Sequence, residues 1–314
     1  MFLSLILAAA FIQPPEGPPA AFEFKGGDRI VWIGNTLVER EQRYGYWETA
    51  LLARFPDKSI TVRNLGWSGD TVWGESRAGF DPPAKGFERL VSLTLELKPT
   101  VIFVCYGTNE SFEGEAGLNR FKQGLEKLLD ALKPANARIV LFSPPPVEEG
   151  VGLADAAARN EMLAKYGNVV MTVAVERKVR FADLHRSMKQ LYDSAKCAAD
   201  KYPRDKYPNV KLLYPLTDNG LHLSEKGYFA TWGCFLQSLG WDFGPHYGPA
   251  TEPLRKAVVE KNQLFFYRWR PQNETYLFGF RKHEQGKNAK EVAEFDPLVA
   301  KAEEEIARLR KELK

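Results

Sequence analysis

The stretch TVIFVCYGTNE, residues 100–110, begins with a run of apolar and β-branched residues and ends in polar ones. A run of this length without polar alternation predicts a strand that is buried on both faces, as in a parallel sheet. Gly107 closes the strand, and polar residues, Asn109 among them, follow directly. Ligands of open α/β sheets bind outside the carboxyl ends of the strands, so these polar residues are candidates for a functional site.

Further apolar runs of strand length alternate with segments whose apolar residues recur at helical spacing. The strands are predicted at residues 29–33, 60–65, 138–142 and 179–183, and the helices at 46–55, 87–97, 118–132, 154–166 and 224–239. This alternation predicts a three-layer α/β/α fold, in which helices cover both faces of a five-stranded parallel sheet. The expected strand order is flavodoxin-like, 2-1-3-4-5, with the functional site near the point where the order reverses.

The N-terminal segment has most of the features of an export signal. An apolar run, residues 2–12, is followed by small residues suited to cleavage, although no Lys or Arg precedes it. We therefore predict a signal peptide over residues 1–21 and a secreted or periplasmic protein with no stable membrane insertion after cleavage. The alternative is an uncleaved anchor or an ordinary N-terminal segment.

Charge and composition argue against several other classes of function. The 43 basic and 40 acidic side chains leave a net charge of +3, which provides no electrostatic basis for binding nucleic acid. The cysteines lack the spacing of a metal motif, while Cys197 and Cys234 are candidates for a disulfide in an exported protein. The sequence has no glycine-rich dinucleotide motif and no P-loop, so neither a cofactor nor a metal is expected.

Residues 22–248 are predicted to form the α/β domain, and residues 249–314 a C-terminal extension. Within the extension, helices are predicted at residues 251–267 and 297–314, and the second of these is amphipathic. Residues 265–280 are dense in aromatic side chains. The apolar stripe of that helix is predicted to consist of Leu298, Ala302, Ile306 and Leu309. Because such a stripe is stable only when it is covered, we expect the extension to pack on the domain or to mediate self-association.

Polar residues gather at four places, three after predicted strands and one before the last predicted helix of the domain. These are Gly34-Asn35-Thr36-Leu37, Ser68-Gly69-Asp70-Thr71, Gly107-Thr108-Asn109-Glu110 and Asp218-Asn219-Gly220-Leu221-His222. In this order and spacing, the four segments resemble the motif blocks of the SGNH hydrolases, also called the GDSL family. The resemblance covers about residues 28–240, and the agreement of four blocks makes it specific.

The resemblance implies an ester hydrolase with a nucleophile, a general base and an oxyanion hole. Thr36 stands at the position of the family's nucleophilic serine, and His222 at that of its base. The backbone N–H groups of Thr36 and Gly69, together with the side-chain amide of Asn109, would bind the oxyanion of the tetrahedral intermediate. The implied substrate is a small-molecule or carbohydrate ester.

Three positions depart from the family's pattern. Thr36 replaces the family's nucleophilic serine, and Asn35 replaces the aspartate that precedes this serine in the family's first block. Asn219 stands at the position where the family has an aspartate that orients the histidine. Asp218 is the alternative acid if the loop is displaced by one residue. In a serine protease, an asparagine in the acid's role favours the wrong imidazole tautomer and lowers the rate about 10,000-fold. All three changes preserve shape and hydrogen bonding, while two of them remove negative charge.

Functions of different classes are compatible with this pattern. The first is an exported hydrolase of small or carbohydrate-linked esters such as acetyl esters; the second is a catalytically degenerate domain that binds a carbohydrate or ester ligand. The aromatic residues expected near the mouth of the site, and available for stacking on sugars, are Tyr44, Tyr46, Trp67 and Trp73. A carboxylate at the His222 ring would favour catalysis, whereas Asn219 alone would favour binding. A third hypothesis is a structural or interaction role for residues 249–314.

Overall fold

The structure, a computed structural model, describes residues 20–203, 205–206, 209, 212–242 and 248–313. The predicted signal peptide, residues 1–21, lies outside the described residues except for its last two positions. Within these described ranges, no helix combines the length and the apolar character needed to cross a membrane.

The strands form one parallel sheet. They are β1 (Asp28–Gly34), β2 (Ile60–Asn64), β3 (Val101–Cys105), β4 (Arg138–Phe142) and β5 (Arg180–Ala182). Their spatial order is β2-β1-β3-β4-β5, and every neighbouring pair is parallel, which confirms the predicted flavodoxin-like sheet. Gly34 lies opposite Cys105, and Trp32 opposite Asn64. The carboxyl ends of β1, β2 and β3 therefore finish side by side.

Helices connect the strands and extend beyond the last one. They are α1 (Thr36–Tyr44), α2 (Tyr46–Arg54), α3 (Pro83–Glu96), α4 (Leu118–Leu132), α5 (Ala156–Arg177), α6 (Leu184–Lys201), α7 (Glu225–Ser238), α8 (Glu252–Trp269), α9 (Glu274–Leu277), α10 (Lys282–Gln285) and α11 (Phe295–Lys311). The predicted helices are present, but α1, α6, α9 and α10 were not predicted, and α5 continues well past residue 166. Helix α1 has no clear apolar stripe, because its buried residues include Glu39, Glu41 and Gln42.

The hydrophobic core covers both faces of the sheet, as a three-layer fold requires. On one face, Trp32 of β1 stacks on Trp47 of α2 and Phe235 of α7, with ring centroids 5.8 and 5.3 Å apart. On the other face, Val104 of β3 belongs to a second buried cluster with Leu125 of α4. Helices thus cover both faces of the sheet, and the ends of the strands are where the sheet can place polar side chains next to a ligand.

The C-terminal helices pack on the α/β domain. Lys261 of α8 is fully buried and pairs with Glu48 of α2, Nζ to Oε1, at 2.6 Å. Ile306 of α11 belongs to the same buried cluster as Trp47. Of the two ways predicted for covering the extension's apolar stripe, the structure therefore shows packing on the domain. Self-association through residues 249–314 stays a prediction.

The apolar stripe of α11 differs by one residue from its predicted start. Leu298 is 47% exposed, whereas Val299, Ile306 and Leu309 are buried. Spacings of seven and three residues place the buried side chains on one side of an α-helix, and residue 298 is turned about 100° from residue 299. The stripe therefore begins at Val299, and the prediction of Leu298 was wrong.

The cysteines are free. Cys105 is buried in β3, as the sequence predicts, and Cys234 is buried while Cys197 is exposed. The disulfide between Cys197 and Cys234 that the sequence left open is not formed.

Candidate active site

The motif segments meet at the carboxyl edge of the sheet. Asn35, Thr36, Asn109 and His222 line one pocket, whose cavity volume is about 20 Å³. A cavity of this size has roughly the room that one water molecule needs. The pocket therefore suits a small chemical group at its base, with the rest of a ligand lying outside.

Thr36 is placed by a tight junction between β1 and α1. A Cβ atom at Gly34 would lie 2.6 Å from the carbonyl oxygen of Cys105, so only glycine allows β1 and β3 to approach this closely. Asn35 then caps α1, because its Oδ1 accepts a hydrogen bond from the Leu37 N–H at 3.2 Å. Thr36 is the first helical residue and half-buried. The partial positive charge of a helix N-terminus therefore lies at its hydroxyl.

Gly69 lies next to the Thr36 hydroxyl. The Gly69 N–H donates a hydrogen bond to Thr36 Oγ1 at 3.2 Å, and Gly69 itself has a φ of 76°. Earlier in the same loop, a Cβ atom at Gly66 would lie 2.2 Å from the backbone nitrogen of Glu39 in α1. The loop is thus pressed against the helix that carries Thr36, which brings a backbone donor to the position expected of an oxyanion hole.

The Asn109 side chain is held by the backbone of the Gly69 loop. Its Nδ2 donates to the carbonyl oxygen of Asp70 at 2.7 Å, which leaves its second N–H for a ligand. The carboxylate of Asp70 is itself fully buried, and its Oδ2 accepts bonds from Arg77 Nε at 2.6 Å and Tyr106 OH at 3.0 Å. Glu110 accepts bonds from two backbone N–H groups, and burial raises its pKa to about 7. These contacts fix the relative position of the second and third motif segments.

His222 is contacted by Asn219, with 3.3 Å between the Asn219 Nδ2 and the His222 Nδ1. Asn219 Oδ1 accepts bonds from the Leu221 N–H at 3.2 Å and the His222 N–H at 2.9 Å. These two donors determine which way the amide faces, because a flipped amide would place its own N–H groups against them. The amide therefore donates to Nδ1, and the proton of the neutral imidazole resides on Nε2.

Asp218 is not the surrogate acid that the sequence offered as an alternative. Its carboxylate pairs with Arg40, Oδ2 to Nη2, at 2.5 Å. The Asp218 N–H donates to the His222 carbonyl oxygen at 2.8 Å beside an antiparallel pairing of Thr217 with Leu223. This pairing fixes the register of the turn and leaves Asn219 beside the ring. In the described part of the chain, no carboxylate oxygen lies within 4.0 Å of a His222 ring nitrogen.

The electrostatics of the pocket favour the neutral form of His222. Burial lowers the pKa of His222 below its usual value, and the positive charge of Arg40 lowers it further, although Asp218 acts in the opposite direction. No hydrogen bond joins Thr36 Oγ1 to His222 among the described residues, although both side chains line the pocket. Catalytic hydrogen bonds are often long before substrate binds, so this separation is compatible with a nucleophile and base pair.

Three of the described residues that line the pocket carry a buried polar atom without a protein partner. Among the described residues, the buried atoms without one include Asn35 Nδ2, Thr108 Oγ1 and Arg40 Nε, and all three residues line the pocket. An unsatisfied buried donor costs about 1–3 kcal/mol, and because these atoms are buried, a ligand in the pocket reaches them only after a local rearrangement.

Several residues of the site were not predicted from the sequence. Arg40 lies one turn after Thr36 on α1, and that i, i+4 spacing is a signal that was available. Glu148 could not be predicted from spacing, because it lies in a loop after three prolines and no helical or strand periodicity relates it to the other site residues. Its buried carboxylate accepts bonds from the backbone N–H groups of Leu216 and Thr217 at 2.8 Å each. Glu148 thereby holds the segment that leads to His222.

The aromatic rings expected at the mouth are covered on one face by other side chains. Their separations from these partners are 3.5–5.2 Å. The partners are Arg270 for Trp67, Lys127 for Trp73, Tyr228 for Tyr44 and Arg255 for Tyr46. These contacts lie in the usual range for cation–π and aromatic pairs, so one face of each ring is used for packing within the protein.

Comparison with known proteins agrees with this arrangement. A model of the GDSL-like Lipase/Acylhydrolase family matches residues 27–230. No curated protein matches the chain. Among solved structures, a catalytic mutant of an acetylxylan esterase from Geobacillus stearothermophilus has a TM-score of 0.52 and 19% identity, covering 70% of this chain and 97% of that one. A gut microbial diltiazem-metabolizing enzyme has a TM-score of 0.51 and 21% identity, covering 71% of this chain and 49% of that one. At these identities the two structures show a shared fold.

Proposed function

Because this chain belongs to the GDSL-like lipase/acylhydrolase family, whose chemistry is carboxylic ester hydrolysis, we propose that its pocket cleaves small acyl esters. Acetyl esters of carbohydrates are the substrates that we expect first. The small cavity supports this proposal, since it favours a short acyl group such as acetyl over a long one. A structural neighbour that acts as an acetylxylan esterase supports it further.

The observation that carries the proposal is the contact between the Gly69 N–H and Thr36 Oγ1 in a pocket shared with His222. In the proposed reaction, the Thr36 hydroxyl attacks the ester carbonyl and its proton passes to Nε2 of His222. The N–H groups of Thr36 and Gly69, with the free N–H of Asn109, stabilise the oxyanion. The histidine then protonates the leaving alcohol, and water releases the acid from the acyl-enzyme.

The Asn219 amide makes this reaction slow. A base must present the lone pair of Nε2 to the hydroxyl, but the amide stabilises the tautomer in which Nε2 bears the proton. The methyl group of Thr36 adds a second cost, because a β-branched side chain has few χ1 rotamers. We therefore expect a low turnover number on simple esters.

The first experiment is hydrolysis of a short-chain aryl acetate by the purified protein. Thr36→Ala and His222→Ala are the matched controls, since each removes one reacting group. Turnover that disappears in both variants would support the proposal. Equal rates in all three proteins would refute it.

A binding function without turnover is the second candidate, and the absence of a carboxylate near the His222 ring among the described residues favours it. In that case, the second N–H of Asn109 and the Nε2–H of His222 would bind the carbonyl oxygens of an acetylated sugar. Calorimetric titration with acetylated and deacetylated xylo-oligosaccharides separates the candidates. Saturable binding of the acetylated form alone, with no release of acetate, would support the binding function.

We also propose that the protein acts outside the cytoplasm, on the basis of the apolar run at residues 2–12. Cell fractionation of the natural host, followed by mass determination of the mature N-terminus, tests this. A mature chain that begins near residue 22 outside the cytoplasm would support export, and an intact cytoplasmic chain would refute it.

A further inference from the structure

Arg270, which follows α8, contacts the loop that carries Gly69. Its Nη1 donates to Glu39 Oε2 at 3.1 Å, and its guanidinium carbon lies 3.5 Å from the centre of the Trp67 ring. The same Glu39 oxygen accepts a hydrogen bond from the Ser68 N–H. One carboxylate oxygen therefore connects Arg270 to the backbone directly before Gly69.

Glu39 also connects this contact to the proposed nucleophile. It lies three residues after Thr36 on α1, and its side chain is only 8% exposed. The loop is tied to the first strand as well, because the Trp67 N–H donates to the Gly34 carbonyl oxygen at 3.0 Å. The oxyanion loop, residues 66–70, is thus held by hydrogen bonds to Gly34 and Glu39 and by the stacking of Arg270 on Trp67.

The contact of Arg270 with Glu39 and Trp67 restricts the orientation of these side chains more than it contributes net attraction. A planar guanidinium that stacks on an indole and bonds to a carboxylate at the same time can be satisfied in few orientations. The pair is largely removed from water, and burial lowers the pKa of Arg270 while Glu39 acts to raise it. A partly buried pair of this kind depends strongly on both partners being present.

We infer that Arg270 is a positioning residue of the active site, which holds the oxyanion loop so that the Gly69 N–H faces the reacting carbonyl. The inference rests on the proposed function, since it takes Gly69 as an oxyanion donor. It also gives the C-terminal region a role, because Arg270 lies outside the segment, residues 27–230, that matches the family. The region then completes the site as well as covering the core.

The matched variants are Arg270→Met, Arg270→Lys and Arg268→Met. A displacement of about 1 Å in a catalytic group costs about 100-fold in rate, so Arg270→Met should lower kcat about 10- to 100-fold. KM should change less than about threefold, because the affected contact acts in the transition state. Arg270→Lys keeps the charge but loses the planar stack, so its loss should be intermediate. Arg268, which pairs with Asp296 at 2.8 Å, should tolerate replacement.

Two measurements on the full-length protein decide the matter. The first is the measurement of kcat and KM on an aryl acetate, in the wild-type background and in the Asn219→Asp background. The second background supplies the carboxylate that, among the described residues, the wild-type site lacks beside His222, and it is expected to turn over faster. The second is hydrogen exchange of the backbone amides of residues 66–72, which does not depend on turnover. Faster exchange with lower kcat in Arg270→Met, and neither change in Arg268→Met, is the expected result.

The other outcomes overturn the inference in distinguishable ways. Unchanged exchange in Arg270→Met would show that the residue does not hold the loop. Faster exchange with unchanged kcat would show that the loop's position is irrelevant to turnover, while ester hydrolysis itself stands. Absence of turnover in both backgrounds would overturn the proposed function and this inference with it, whatever the exchange rates.

Discussion

Replacing Asn219 with aspartate should convert His222 into an efficient base. In the present structure the amide Nδ2 faces the imidazole Nδ1 at 3.3 Å, so the amide donates and the ring accepts. An aspartate in the same position would keep one oxygen on the N–H groups of Leu221 and His222, which Asn219 Oδ1 already accepts. Its second oxygen would accept a hydrogen bond from Nδ1–H, which stabilises the tautomer whose Nε2 lone pair faces the Thr36 hydroxyl.

The magnitude follows from the reverse change in serine proteases, which lowers kcat about 10,000-fold through the wrong tautomer. A factor of that size corresponds to about 5 kcal/mol of transition-state stabilisation. The methyl group of Thr36 remains, and its restricted rotamers limit what the new base can recover. We therefore expect Asn219→Asp to raise kcat between about 100- and 10,000-fold, with KM nearly unchanged.

The assay is hydrolysis of an aryl acetate across the pH range, with ¹⁵N resonances of the imidazole recorded in parallel. The resonances should report a proton on Nε2 in the wild type and on Nδ1 in Asn219→Asp. Asn219→Asp combined with Thr36→Ala should lose the gained activity. Asp218→Asn is the control for charge in the same turn, since Asp218 pairs with Arg40 and does not contact the ring.

The reasoning is refuted if Asn219→Asp folds normally, shows the Nδ1–H tautomer and still hydrolyses ester no faster than the wild type. The tautomer would then not be the limiting factor, and the binding function would become the better explanation of the pocket. An unchanged Nε2–H tautomer in Asn219→Asp would instead refute the hydrogen-bond assignment on which the prediction is built.

Three further predictions concern stability and the oxyanion loop. Lys261→Met should lower the free energy of unfolding by about 3–5 kcal/mol in urea titrations, because it leaves a buried carboxylate unpaired, while exposed Lys256→Met should change it little. Burial, reinforced by a neighbouring carboxylate, raises the pKa of Glu41 from 4.5 to about 7, so the folded state holds that proton more tightly than the unfolded one. Stability should therefore fall as pH rises from about 4.5 to about 7, and Glu41→Gln should flatten that fall; an unchanged slope would contradict it. Gly66→Ala should lower the free energy of unfolding by about 1–3 kcal/mol and also lower kcat, because its Cβ would lie 2.2 Å from a backbone nitrogen of α1. Gly26→Ala is the control and should change neither quantity, because its Cβ would meet nothing within 4 Å.

The sheet and the motif loops were predictable because the signals that determine them are local. Buried parallel strands need continuous apolar runs, and the run at residues 100–106 carries that pattern within seven residues. Thr36, Asn109 and His222 could be placed in one site because their segments follow strand ends or precede a helix, and parallel strands end at a common edge. Helix α1 escaped prediction because buried carboxylates such as Glu41, which accepts bonds from the backbone of α2, replace the expected apolar stripe.

By itself, the sequence determined the fold class, the strand order and the motif residues that meet at the candidate site. The tertiary structure decided how those residues face one another. Which side chain contacts the His222 ring depends on the register of the turn at residues 217–223, and that register places Asn219 at the ring and Asp218 on Arg40. The contact of Arg270 with Glu39 joins residues 231 positions apart. Pairings of this kind leave no periodic trace along the chain, because they depend on how separate elements pack in space.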